Sequence, residues 1–382
     1  MRYTAGEDYA LDERLVRHDV RASIAHAALL LQAAGCRRRP TARHLRGAPD
    51  KIGAEHARRI HRAAADGISA DQAGEMLDVR HRRGRRPHPP RALAQRPVTA
   101  LRLYLREAVE ELAAGVRGVA AALEALAARD GAIALLGYTH MQQAMPSTVA
   151  LWAGGLAREL RDDAAGIEGV QRRLAHCPLG SAAGYGTPGL PLDRTATARA
   201  LGFEAPHEPV TAVQLSRGKA EASLLFELAL ALQDTGRLAA DLLLFYTQEF
   251  AFIELPDAFT TGSSIMPQKR NPDVFELVRG RSASAQGCLT EALGICAKLP
   301  SGYQRDLQLL KFPLFRGIDL AQQTFDILAA ALGAVRFRAA GIRIDPAVHA
   351  AGEAYALVVR EGIPFREAYR RIGARFKKQD GP

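Results

Sequence analysis

The chain has 382 residues, a net charge of +10, 48% hydrophobic and 6% aromatic residues. Its length exceeds one compact core, so two or three domains are expected, and heavy use of Ala, Leu and Arg predicts a helical protein. The composition excludes other classes: no run of about 18 apolar residues could span a membrane, and the four cysteines (Cys36, Cys177, Cys288, Cys296) form neither a CxxC pair nor a disulfide framework.

The N-terminus, "MRYTAGEDYALDERL", lacks the basic-then-apolar order of a signal peptide, so a reducing cytoplasm is the expected location. Residues 1–97 are read as an N-terminal domain. Within it, residues 80 to 96, "RHRRGRRPHPPRALAQR", hold seven arginines and no acid. Without them, 51 − 7 = 44 basic residues face 41 acidic ones. The positive excess is therefore one proline-interrupted, loop-like stretch over residues 80–97. It has no aromatic interleaved for stacking on bases, which argues against a nucleic-acid partner.

From Leu105 the apolar residues Val109, Leu112, Val116, Val119, Leu123 and Leu126 follow at spacings of four and three, predicting a long amphipathic helix. A second helix is expected from about Ser147 to His176 and a third from about Arg217 to Phe252. "GYGTPG" at Gly184–Gly189 satisfies G-x-G-x-x-G but opens no helix after an apolar strand, so it reads as a loop and not a dinucleotide site. Asn271-Pro272-Asp273 is a start signal for a fourth helix to about Leu299. A fifth runs from about Pro313 to Phe337. The expected fold is all-α, a long-helix central bundle over residues 98–340 with smaller helical domains at 1–97 and 341–382.

Residues 260 to 276 read "TTGSSIMPQKRNPDVFE". Asn271 is the only asparagine in the chain and Lys269 one of seven lysines. Both residue types have GC-poor codons, and this Ala-, Arg-, Gly- and Pro-rich composition points to a GC-rich gene. Their presence two positions apart marks the segment. Taken alone, a serine pair after glycine is a turn or cap, and Lys-Arg before Asn-Pro a solvated loop.

In company with other segments it reads differently. "GSSIMPQKRNP" resembles the signature loop of the fumarase/aspartase superfamily, and its MPQK form resembles the argininosuccinate lyase family. "YTAGEDYALDERLVRHDVRASIAHA", "GYTHMQQAMPST", "CPLGSAAGYGTPGLPLDR", "LSRGKAE", "LPSGYQRDLQLLK" and "GIPFREAY" resemble further segments of that family in the same order. The resemblance implies anti β-elimination of argininosuccinate to arginine and fumarate, in arginine biosynthesis, by a homotetramer whose active sites are shared between subunits. It implies no metal or cofactor. Another fumarate-yielding lyase and a non-catalytic scaffold homologue are the alternative readings.

The resemblance also assigns residues. Ser263 is the base, on a mobile loop, with Lys269 and loop amides stabilising its oxyanion and the developing dianion. His140 and Glu276 match a hydrogen-bonded pair in which the carboxylate fixes the imidazole for acid–base work. Thr139, Ser264, Asn271, Tyr303, Gln308 and Lys311 match substrate-binding positions.

Two segments depart from the family. Where it carries "HTGRSRNDQ", this chain reads "PRALAQRPV", Pro90 to Val98. Back-translated as CGG GCG CTC GCG CAA CGA CCA, "RALAQRP" becomes, with its first nucleotide dropped, a message for G-R-S-R-N-D and the start of Q. A compensated pair of frameshifts between Val79 and Val98 accounts for the lost motif and for the local arginine surplus. The family also continues through further helices beyond "GIPFREAYRRIGARF", so an incomplete C-terminal domain is expected.

Overall fold

The computed structural model describes residues 8–33, 96–189 and 191–376. The described chain is all-α in architecture. Its helices are α1 (Asp8–Asp12), α2 (Val16–Ala33), α3 (Arg96–Asp130), α4 (Val149–Gly169), α5 (Gln171–Leu174), α6 (Arg194–Ala200) and α7 (Ala212–Leu215). There follow α8 (Lys219–Tyr246), α9 (Asp273–Cys296), α10 (Lys311–Ala334), α11 (Ala350–Glu361) and α12 (Phe365–Phe376). The arginine-rich stretch and the lost motif lie outside the described residues, except for the first turn of α3. So does the end of the chain after Phe376.

Short strands pair two by two. They are β1 (Ala134–Thr139) with β2 (Gln142–Thr148), β3 (His176–Cys177) with β4 (Ala205–Pro206), β5 (Ile253–Glu254) with β8 (Arg336–Phe337), and β6 (Thr261–Gly262) with β7 (Arg270–Asn271). Only the β3–β4 pair is parallel.

The contacts divide the chain into two compact units. One comprises Met1–Ala114, Asp163–Leu230 and Ala283–Gln322, the other Gly115–Asp162, Ala231–Ser282 and Gln323–Pro382. In the first unit, Leu105, Val109 and Leu112 of α3, Leu224 and Leu228 of α8, and Leu314 and Phe315 of α10 are all buried. Tyr104 meets Phe315 edge-on at 5.3 Å. In the second, Val116, Val119, Leu123 and Leu126 of α3 are buried, as are Leu238 and Leu242 of α8 and Phe275 of α9. All seven residues of the predicted stripe are at most 1% exposed, because one face of α3 is apolar along its length.

The expected helices exist, with shifted ends. The second begins at Val149, not Ser147, because Thr148 caps it: its Oγ1 accepts from the Leu151 amide at 3.1 Å. It ends at Gly169, and His176 stands in β3. The third stops at Tyr246, where the chain folds back and the Phe252 amide donates to the Phe245 carbonyl at 2.8 Å. The fourth begins at Asp273, as Asn-Pro-Asp predicts; the Phe275 amide donates to the Pro272 carbonyl at 2.9 Å. "GYGTPG" is a turn-rich loop with Gly184, Gly186 and Gly189 at positive φ.

Candidate active site

The signature segment is the loop of the β6–β7 hairpin. Thr261 faces Asn271 and Gly262 faces Arg270, so the loop runs from Ser263 to Lys269. Ser263 is half-buried, and its Oγ accepts hydrogen bonds from the amides of Ile265 and Met266 at 3.3 and 3.1 Å. A serine two and three residues before free amides closes such a turn readily. The Lys269 amide donates to the Met266 carbonyl at 3.0 Å. Ser264 and the Lys269 side chain are exposed.

Asn271 sits at the foot of the hairpin, half-buried, its Nδ2 3.5 Å from Thr261 Oγ1. Thr261 in turn donates to Asp273, in the first turn of α9. Thr261 and Asp273 thus orient Asn271, a support that no local pattern in the sequence announces. Glu276 stands exposed one turn into the same helix.

Lys269, Asn271 and Glu276 line one cleft of about 1210 Å³ with Tyr246, Met266 and Arg279. Burial, with Asp257 second, holds the Tyr246 phenol above its usual range, so it is a neutral hydroxyl there.

Thr139 and His140 belong to the β1–β2 hairpin, which the sequence reading missed. Thr139 pairs with Gln142, so His140 and Met141 form the tip, with φ of +52° and +61°. A two-residue turn with both φ positive matches the twist of an antiparallel ribbon. Asn-Gly is its usual sequence, and His-Met gives no such signal. Both His140 and Thr139 are exposed. Among the described residues, no hydrogen bond joins His140 to Glu276 within one chain.

Tyr303, Gln308 and Lys311 fall in the other unit. The Arg217 guanidinium lies 5.6 Å from the Tyr303 ring centre, and Gln308 Oε1 accepts from Arg305 Nε at 3.2 Å. Lys311 is buried and paired with Asp12 at 2.7 Å. That contact ties the start of α10 to the N-terminal segment, and its acid was not singled out from the sequence. Among the described residues, no group of three or more His, Cys, Asp and Glu side chains is gathered as a metal ion would require.

A family model described as "Lyase" matches residues 96–287. The argininosuccinate lyase of Sorangium cellulosum (strain So ce56) is 41% identical over 381 residues, covering 98% of this chain and 87% of its own. That of Thermotoga neapolitana is 32% identical over 396 residues, covering 99% of this chain and 95% of its own. Among solved structures, a native fumarate lyase:delta crystallin from Brucella melitensis superposes with a TM-score of 0.72 at 19% identity, over 97% of this chain and 89% of that one. At that identity the likeness speaks for the fold. Long helices, the serine hairpin and near-full-length relatives agree: the chain belongs to the argininosuccinate lyase family of the fumarase/aspartase superfamily.

Proposed function

We propose that the chain catalyses the anti β-elimination of argininosuccinate to arginine and fumarate, with Ser263 as the base. The observation that carries this reading is the pair of loop amides on Ser263 Oγ, from Ile265 and Met266. A serine oxygen removes a carbon-bound proton only where its anion is held, and prearranged amides hold it without reorganisation. As the proton leaves the carbon beside a carboxylate, charge builds on that carboxylate. The Lys269 ammonium offsets it, and the Asn271 amide donates to it without adding charge. His140, positioned by Glu276, serves the proton transfers of the departing guanidinium.

A chain that does not join His140 to Glu276 by itself suits an active site assembled from several subunits. The proposal therefore includes a homotetramer, working in the cytoplasm in arginine biosynthesis. It also includes a three-part chain, with boundaries near residues 97 and 340. The catalyst is a weak one, because "PRALAQRPV" replaces a segment whose Ser, Arg and Asn hold substrate in the family.

Fumarate release, followed by its ultraviolet absorbance, tests the base. Ser263→Ala is expected to abolish it with helical content and assembly unchanged. The comparison is made in this chain and in a version with residues 80–97 restored to the alternative frame. Equal rates for serine and alanine in either background would remove Ser263 from the mechanism.

A further inference from the structure

We propose that Arg217 is a positioning residue for substrate binding: its guanidinium holds the Tyr303 ring where argininosuccinate meets it. This deepens the elimination reading and rests on it, with Tyr303 as a substrate contact. Residues 299–304, which carry the ring, form neither helix nor strand and join α9 to α10 through a 3-10 turn at Arg305–Gln308. Tyr303 is 44% exposed. No regular ladder fixes such a segment, so contacts from elsewhere in the chain must place the ring.

Three contacts do so, all within the first unit. The Arg217 guanidinium lies over the Tyr303 ring, 5.6 Å from its centre. Tyr185, from the "GYGTPG" loop, reaches the neighbouring residue: a Cβ on Gly302 would lie 3.2 Å from its Oη. The third contact is made by Gly218, next to Arg217 and at a φ of +80°. A Cβ there would collide with Cys296 Sγ and lie 3.3 Å from Leu310 Cδ1. Cys296 ends α9, and Leu310 immediately precedes α10. The turn between α7 and α8 is thus wedged against both ends of the segment that carries Tyr303 and Gln308, and only glycine allows so close an approach.

Arg217 stands on that wedge, its amide donating to the Gln214 carbonyl at 3.2 Å. Among the described residues no ion pair engages it, so its guanidinium is committed to the ring. A cation within about 6 Å of a ring centre is drawn to the negative face. With one face so held, the other face and the phenol hydroxyl are left for substrate.

The test is a double-mutant cycle read by calorimetric titration of the full chain with argininosuccinate. Arg217→Gln and Arg217→Met each remove the charge, the second keeping the packing of the stem; Arg217→Lys keeps the charge. Each is combined with Tyr303→Phe, which retains the ring, and with Tyr303→Leu, which removes it. In the unsubstituted and Tyr303→Phe backgrounds, loss of the charge is expected to weaken argininosuccinate by about 2- to 30-fold, the range of a cation–ring contact. Arg217→Lys should recover most of that loss. In the Tyr303→Leu background the same substitutions should change nothing further, because Arg217 acts only through the ring. Equal weakening with and without the ring overturns the inference, by putting Arg217 on the substrate itself or in general packing, and leaves the elimination reading standing. Full affinity in Tyr303→Leu, or in the variants without the charge, also overturns it. An unsubstituted chain that binds no argininosuccinate overturns both.

Discussion

His140 and Met141 hold left-handed backbone at the tip of the β1–β2 hairpin, with φ of +52° and +61°. For an L-residue this conformation costs roughly 1–2 kcal/mol, and glycine would remove the cost. Strain of this kind persists where surrounding structure over-determines it, and it collects at working sites. Here the ladder from Ala134 to Thr148 imposes it and presents the imidazole to solvent. Asn tolerates the same backbone, so His140→Asn tests the ring with the hairpin kept. His140→Asn and Glu276→Gln should each slow fumarate release, and the double variant should be barely slower than either single, because groups acting as one unit are non-additive. Since one chain does not bond the pair, such coupling would have to pass between subunits. Losses that simply multiply would mean that the two residues work separately.

At the scale of elements, the first unit carries two histidines that resist protonation. His18, on α2, is fully buried among Tyr104 and Glu107 of α3 and Arg17 and Arg21 of its own helix. Burial pushes it down to about 4, with Glu107 opposing and the arginines assisting. Its Nε2 accepts from Arg17 Nε at 3.1 Å, so a second proton on that nitrogen would displace the donor and face a guanidinium. His207 lies between β4 and α7, its Nδ1 3.0 Å from the buried Arg102. Burial first and Arg102 second bring it to about 4. Both folded values lie below the ordinary 6.5, so the unfolded chain takes up protons first. The stability they contribute is whole above pH 6.5 and is lost as pH falls toward 4. The Tm should drop across that window, and His18→Gln should flatten the slope. An unchanged slope would take His18 out of the acid sensitivity.

At the scale of the whole molecule, the sequence of residues 80–97 sets the expected activity. Losing a Ser, an Arg and an Asn from the substrate's carboxylates removes charge-assisted hydrogen bonds of roughly 1.5–3 kcal/mol each. The apolar stripes of α3, α8 and α10 lie outside that stretch, so folding should survive better than turnover. Restoring the alternative frame should raise fumarate release by about 10²-fold or more, with Tm little changed. Equal and substantial activity in both versions would make the present stretch a working variant.

The long helices could be read directly, because an apolar residue every three or four positions can bury only one face of a helix. Leu105 to Leu126 obey that rule without exception. Asn271-Pro272-Asp273 likewise announced where α9 starts, since proline and an acid suit a first helical turn. The rarity of Asn271 and Lys269 marked the segment that folds into the β6–β7 hairpin and lines the cleft. The His140 hairpin was not legible, because its tip uses residues that usually avoid left-handed backbone and only the pairing of both strands forces them there. Nor was the Asp12–Lys311 pair, 299 positions apart in the chain. Local periodicity is written into neighbouring side chains, and family motifs into short segments, so the sequence by itself determined the helical frame and the family. Which polar atoms meet depends on where distant backbone is carried, and that only the tertiary structure decided.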